Sequence, residues 1–166
     1  MDTLVILVAK YALFLIALGA ALAWALASRR DKVTMLVAGV ATLVLTVIAI
    51  KLAALAWVDP RPFVVDGRAP LIPHPADNGF PSDHTTLGAA IAVAVLAWRR
   101  WLGAGLLVVA VAVGAARVAA HVHHVPDVLG GLLIGSACAV AGVLLARRAT
   151  DSVRTRATRA SDAESG

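Results

Sequence analysis

Arg117–Asp127 reads R-V-A-A-H-V-H-H-V-P-D and crowds an arginine, three histidines and an aspartate between two long apolar runs. Those runs decide the fold: about Leu102 to Ala120 before the stretch and about Pro126 to Ala146 after it can each cross roughly 30 Å of hydrocarbon as a helix. Proline at 126 is acceptable in the first turn of a helix, where its missing N–H has no intrahelical partner. Buried charge at a membrane boundary is costly, so ionisable groups at that depth pair with each other or handle a charged ligand.

Working outward, the apolar pattern repeats. Spans are expected at about Leu4 to Ala27, Val33 to Trp57 with Lys51 near its far end, and His84 to Trp98. The chain is 60% hydrophobic with a mean hydropathy of +0.86, well above a soluble protein's apolar share. The expected fold class is therefore all-α, a polytopic membrane bundle of about five helices with a long loop between the second and third. Ala25-Leu26-Ala27 resembles a signal-peptide cleavage site, but Arg29 and Arg30 follow the apolar run instead of preceding it, so a retained helix is expected. Residues 1–148 form the membrane domain. The Ser-, Thr- and Arg-rich residues 149–166 read as a disordered cytoplasmic tail. The lone cysteine, Cys138, has no partner for a disulfide.

A net charge of +5 raises the question of nucleic acid, and its distribution answers against it. The basic clusters Arg29-Arg30-Lys32, Arg99-Arg100 and Arg147 to Arg159 each abut an apolar segment, the pattern of cytoplasmic anchoring. With those clusters inside, alternation places the Val58 to Asp83 loop and the histidine-rich turn together on the extracytoplasmic face. That loop, D-P-R-P-F-V-V-D-G-R-A-P-L-I-P-H-P-A-D-N-G-F-P-S-D-H from Asp59 to His84, is too polar and proline-rich to cross lipid and is expected as a cap.

Three polar groups thus converge: Lys51 with Asp59-Pro60-Arg61-Pro62, then Pro81-Ser82-Asp83-His84, then Arg117 with His123 and Asp127. Lysine and arginine around a concave site suit an anionic, oxygen-rich ligand, which arginine can grip in a bidentate way. Histidine is a competent nucleophile when a third group fixes its tautomer, and Asp127, four residues after His123, is placed to do this. His84, at the start of the third helix, is placed as a general acid. Asp77 and Asp83 are open between ligand contact and loop capping. His121 and His124 could bind zinc, yet a loop this short rarely closes a tetrahedral site alone, so no metal is assigned.

These groups resemble the three signature motifs of the type 2 phosphatidic acid phosphatase superfamily. Arg117, five residues, His123, three residues and Asp127 reproduce the spacing of its third motif, with Ala116 where serine is usual. Pro81-Ser82-Asp83-His84 is similar to the P-S-D-H variant found in undecaprenyl diphosphatases of the bacitracin-resistance type. The first motif departs: the family's lysine would fall at Ala54, and Lys51 lies three residues earlier, about 4.5 Å deeper along a helix. The resemblance implies a multi-pass cell-membrane lipid phosphatase with its site facing outward, needing no metal or cofactor. It also implies that His123 attacks phosphorus, Asp127 orients it and His84 protonates the leaving oxygen. Arg61, Arg117, Ser82 and Lys51 would hold phosphate oxygens, with Asp83 beside them. The implied partners are a polyprenyl diphosphate and membrane lipids. Phosphatidic acid, phosphatidylglycerophosphate and a decaprenyl sugar phosphate are alternative substrates, and a small transporter is the competing class.

Overall fold

The computed structural model describes residues 1–164, and these form six helices: α1 (Asp2–Ala25), α2 (Arg29–Ala56), α3 (Pro62–Asp66), α4 (Asp83–Leu96), α5 (Arg100–Ala119) and α6 (Val125–Glu164). Among the described residues α1, α2, α5 and the Val125–Val153 part of α6 are long and apolar enough to span a membrane. The outer faces of α1 and α2 present Phe14, Leu15, Leu18, Leu36, Leu43 and Leu52 to the surroundings, and most of each helix is unburied by protein. Only lipid satisfies such a surface. The five expected apolar helices are present, with boundaries shifted by a few residues.

The third of them, α4, has 14 residues, so it is about 21 Å long and short of a bilayer. It lies in the centre of the bundle, packed against α1, α2, α5 and α6, with Gly88, Ala89, Ala90 and Ala92 buried. A helix sheathed by other helices meets little lipid and need not match its thickness. In lipid the hydrophobic effect gives helices no reason to associate, so close packing through small residues must do it. A Cβ at Gly135 of α6 would run into the carbonyl oxygen of Thr86 in α4. One at Gly142 would strike the Thr42 hydroxyl in α2.

The basic clusters meet at one end. Arg99 Nη2 donates to the carbonyl of Leu26 at 2.7 Å, and Arg147 Nη2 donates to that of Ala97 at 3.0 Å while lying over the Trp98 ring. Ser28 caps α2 there, its hydroxyl oxygen accepting from the Asp31 amide. The α5–α6 turn and the long loop lie at the other end. One expectation fails. The segment from residue 149, expected to be disordered, continues α6 as helix to Glu164. No proline or glycine falls between Gly142 and Gly166, and the alanines and arginines there favour helix.

The loop forms the expected cap. Proline at 62 starts α3 and Gly67, at φ 71°, ends it in the left-handed region that glycine takes without strain. Ile72 is buried with Ala9, Ala116, Ala120 and Val122, and the Leu71 amide donates to the Ala120 carbonyl at 3.0 Å. The loop is thereby tied to α1 and α5, directly over the histidine turn.

Candidate active site

His123 sits in the turn between α5 and α6 and is 3% exposed. Its Nδ1 lies 3.3 Å from Asp127 Oδ2, in the first turn of α6. Its Nε2 lies 3.2 Å from Arg61 Nη1 and 3.5 Å from Arg117 Nη2. Arg61 Nη1 also lies 3.5 Å from Nδ1, but the Asp127 carboxylate can only accept, so the tautomer with the proton on Nδ1 and the lone pair on Nε2 satisfies Asp127 and the guanidinium contacts on Nε2 together. Two arginines and one carboxylate therefore favour the tautomer that leaves the Nε2 lone pair available.

Burial holds the His123 imidazole below its ordinary pKa, and the charges of Arg61 and Arg117 push the same way against the opposing pull of Asp127. The ring is accordingly neutral and able to attack at neutral pH. Asp127 is fully buried at the positive end of α6, and its Oδ2 also accepts from the His124 backbone amide at 2.9 Å. Gly79 leaves room for this carboxylate, since a Cβ there would stand 3.0 Å from Oδ2.

Arg61 is 5% exposed and precedes α3. Nε donates to Asp77 Oδ1 at 2.7 Å, Nη1 to the Val122 carbonyl at 2.8 Å and Nη2 to that of Asn78 at 3.3 Å. Burial opposes ionisation of Asp77, but the Arg61 hydrogen bond and charge hold its carboxyl below the usual value. Arg117, in the last turn of α5, is 3% exposed, and its Nε has no hydrogen-bond partner among the described residues. A buried donor left free beside His123 suits an incoming anion.

Ser82 is fully buried as the residue before α4, and its amide donates to the Asp127 carbonyl at 3.1 Å. Its hydroxyl pairs with that of Thr85 at 3.0 Å. His84, half-buried in the first turn of α4, has its pKa pushed down from 6.5 to about 4, first by burial and then by the charges of Arg117, His123 and His74, so it is neutral in the free protein. Asp83 is exposed at the helix start and acts electrostatically on Arg117. Lys51 is not brought in: it is exposed on α2 with no hydrogen bond or ion pair among the described residues. The Ala54 position, one turn on, is the one that touches the loop, its carbonyl accepting from Asn78 Nδ2 at 3.0 Å.

Two residues carry more than their sequence signal suggested. Asn78 is a latch: Oδ1 accepts from the amides of Asp59 (2.9 Å) and Phe80 (3.1 Å), and Nδ2 also donates to the Trp57 carbonyl at 2.9 Å. An Asn-Gly dipeptide is a turn signal, and nothing in it encodes these long-range bonds. His74 faces the His123 ring edge-on with centroids 6.1 Å apart, and burial with the Arg61 charge keeps it below the ordinary histidine pKa. Between two prolines it carried no motif. His121 takes φ 63° to reverse the chain and donates from Nε2 to Asp66 Oδ1 at 2.9 Å.

A helical membrane bundle with a buried His–Asp pair and two arginines at one end is the class that fold and site define. The family model of the PAP2 superfamily matches residues 32–151. The chain belongs to the PAP2 superfamily. It is 34% identical over 134 residues to the undecaprenyl-diphosphatase BcrC of Bacillus subtilis, covering 81% of this chain and 69% of the relative. It is 30% identical over 136 residues to the protein named bacitracin transport permease protein BcrC in Bacillus licheniformis, covering 81% and 66%. Among solved structures it is similar to Aquifex aeolicus LpxE, with a TM-score of 0.65 and 23% identity over 86% of this chain and 84% of that one, a likeness of fold.

Proposed function

We propose that this chain is a membrane phosphatase that converts undecaprenyl diphosphate, or a similar polyprenyl diphosphate, to the monophosphate and inorganic phosphate on the extracytoplasmic face. The observation that carries the reading is His123, buried with Asp127 on Nδ1 and two guanidiniums on Nε2. The printed name of the Bacillus subtilis relative supports the choice of substrate.

In the first step Nε2 of His123 attacks the terminal phosphorus, and the bond to the bridging oxygen breaks. His84, neutral in the free protein, takes up a proton from solvent when the anionic diphosphate offsets the charges of Arg61 and Arg117; it gives this proton to that oxygen, and the lipid monophosphate leaves. The Nδ1 proton stays on the ring and its bond to Asp127 stabilises the charge acquired there. Water then attacks the phosphohistidine with His84 taking its proton, the P–N bond breaks and phosphate departs. Arg61 and Arg117 rest on Nε2 in the free protein and would turn to the phosphate oxygens, where their charge opposes that developing in the transition state. Ser82 lies beside them. Lys51 reaches the site only if its side chain leaves its exposed position on α2.

The transport reading draws on the printed name of the Bacillus licheniformis relative. It would call for ionisable groups spread through membrane depth, whereas here they gather at one end. Purified protein should release phosphate from polyprenyl diphosphate without added metal, and His123→Ala should abolish turnover. Full turnover in that variant would remove the assigned nucleophile. Release from phosphatidic acid at equal or greater kcat/KM would shift the substrate class.

A further inference from the structure

Beside the catalytic pair lies a second cluster that shares Asp127 with it and adds two residues, Asp59 and His124, that the reaction does not use. His124 Nδ1 donates to Asp59 Oδ2 at 3.0 Å, and one ligand atom from each of Asp59, His124 and Asp127 lies within 4.8 Å of the others. Asp59 comes from the segment before α3, so the long loop supplies what the short H-x-H-H turn lacked. Asp127 is fully buried, and its Oδ1 has no hydrogen-bond partner among the described residues. An orphaned carboxylate oxygen next to a second carboxylate is costly unless positive charge reaches it.

We propose that Asp59, His124 and Asp127 bind a divalent cation of the zinc class, and that its binding switches the enzyme off. One imidazole nitrogen and two carboxylate oxygens are a proper zinc donor set, with a fourth position left for water. Zinc–ligand distances of about 2.0–2.1 Å put neighbouring donors roughly 3.3 Å apart, so the cluster needs side-chain adjustment and no change of backbone. Asp59 and His124 are partly exposed, with side-chain accessibilities of 24% and 36%, which gives the ion a way in. Binding displaces the Nδ1 proton of His124.

The cation and His123 draw on the same carboxylate. A dication on Oδ1 withdraws charge from Oδ2, weakens its bond to His123 Nδ1, and so lowers the nucleophilicity of Nε2 and the stability of the ring charge formed on attack. The ion thus opposes the reaction and is no cofactor for it. The inhibitory half of the proposal rests on the phosphatase reading, whereas the binding half does not.

Binding is tested on the full-length His123→Ala protein, where turnover plays no part, with Zn2+ by calorimetry and Co2+ by absorption. The expected result is one ion per chain, with affinity reduced on the order of tenfold or more in both the His124→Ala and Asp59→Asn forms. The same affinity is expected in the His121→Ala form. Absence of stoichiometric binding, binding that survives both ligand substitutions, or its loss in the His121→Ala form overturns the site. Inhibition is tested on otherwise wild-type protein with free Zn2+ held by a chelator buffer, because diphosphates themselves bind zinc. Phosphate release should fall on the order of tenfold and return on chelation. The ratio of rates with and without Zn2+ should approach one in the Asp59→Asn protein. Stoichiometric binding without a loss of rate refutes the switch.

Discussion

Asp127→Asn tests the central claim that Asp127 acts by its charge on His123. The replacement is isosteric. The asparagine oxygen can take the place of Oδ2 and keep the bonds from His123 Nδ1 and the His124 amide, while its NH2 takes the place of Oδ1. The fold should therefore survive. What is lost is the negative charge 3.3 Å from a ring nitrogen that becomes part of a cation as the P–N bond forms. At an effective dielectric near 20, unit charges at that separation interact by about 4–5 kcal/mol. With roughly half the charge developed in the transition state, about 2–3 kcal/mol is lost, or on the order of 30- to 150-fold in kcat. KM should change little, because the phosphate contacts belong to Arg61 and Arg117. Steady-state phosphate release from solubilised lipid diphosphate reads both constants, and thermal unfolding in detergent checks the fold. A kcat within threefold of wild type, or a loss confined to KM, would refute the reasoning.

Other outcomes follow from the same geometry. Because burial and the arginines hold His123 below its ordinary value of 6.5, its neutral form persists as pH falls through 6.5. In the free enzyme kcat/KM should therefore decline only at lower pH, and an acid limb assigned to His123 at or above 6.5 would contradict the shift. Asn78→Ala removes four hydrogen bonds, two to the Ala54 and Trp57 carbonyls at the end of α2 and two from the Asp59 and Phe80 amides within the loop, at about 1 kcal/mol each. Phosphate release and melting temperature should both fall, and unchanged values would show that the latch is dispensable. Gly135→Ala drives a methyl into the Thr86 carbonyl, so α4 and α6 must separate at a cost of about 1–3 kcal/mol, seen as a lower melting temperature. Lys51→Ala should leave kcat/KM within about threefold, as for an exposed side chain without partners, and a larger loss would place Lys51 on the substrate.

The family, the spans and half of the site were legible because they are local. Arg117, His123 and Asp127 lie within one turn of chain and its two helix ends, so their spacing alone carried the third motif. Apolar length alone located the membrane helices. The clustering of arginine at the turns Ala25 to Arg29 and Leu96 to Arg100 foretold which ends would meet. Helix beyond residue 149 was missed because polarity was read as disorder, although nothing in that stretch breaks a helix.

Only the tertiary structure decided how the loop completes the site. Asp77 on Arg61, His74 against His123, Asn78 across the end of α2 and Asp59 on His124 all join residues 16 or more apart. No helical or motif spacing encodes such contacts, because a proline-rich loop has many paths and the selected one depends on what it covers. The tautomer of His123 belongs here too. The sequence singled out His123 and Asp127, but which ring nitrogen lies free is decided by contacts with Arg61 from the loop and Arg117 from α5, which meet only when the bundle is formed.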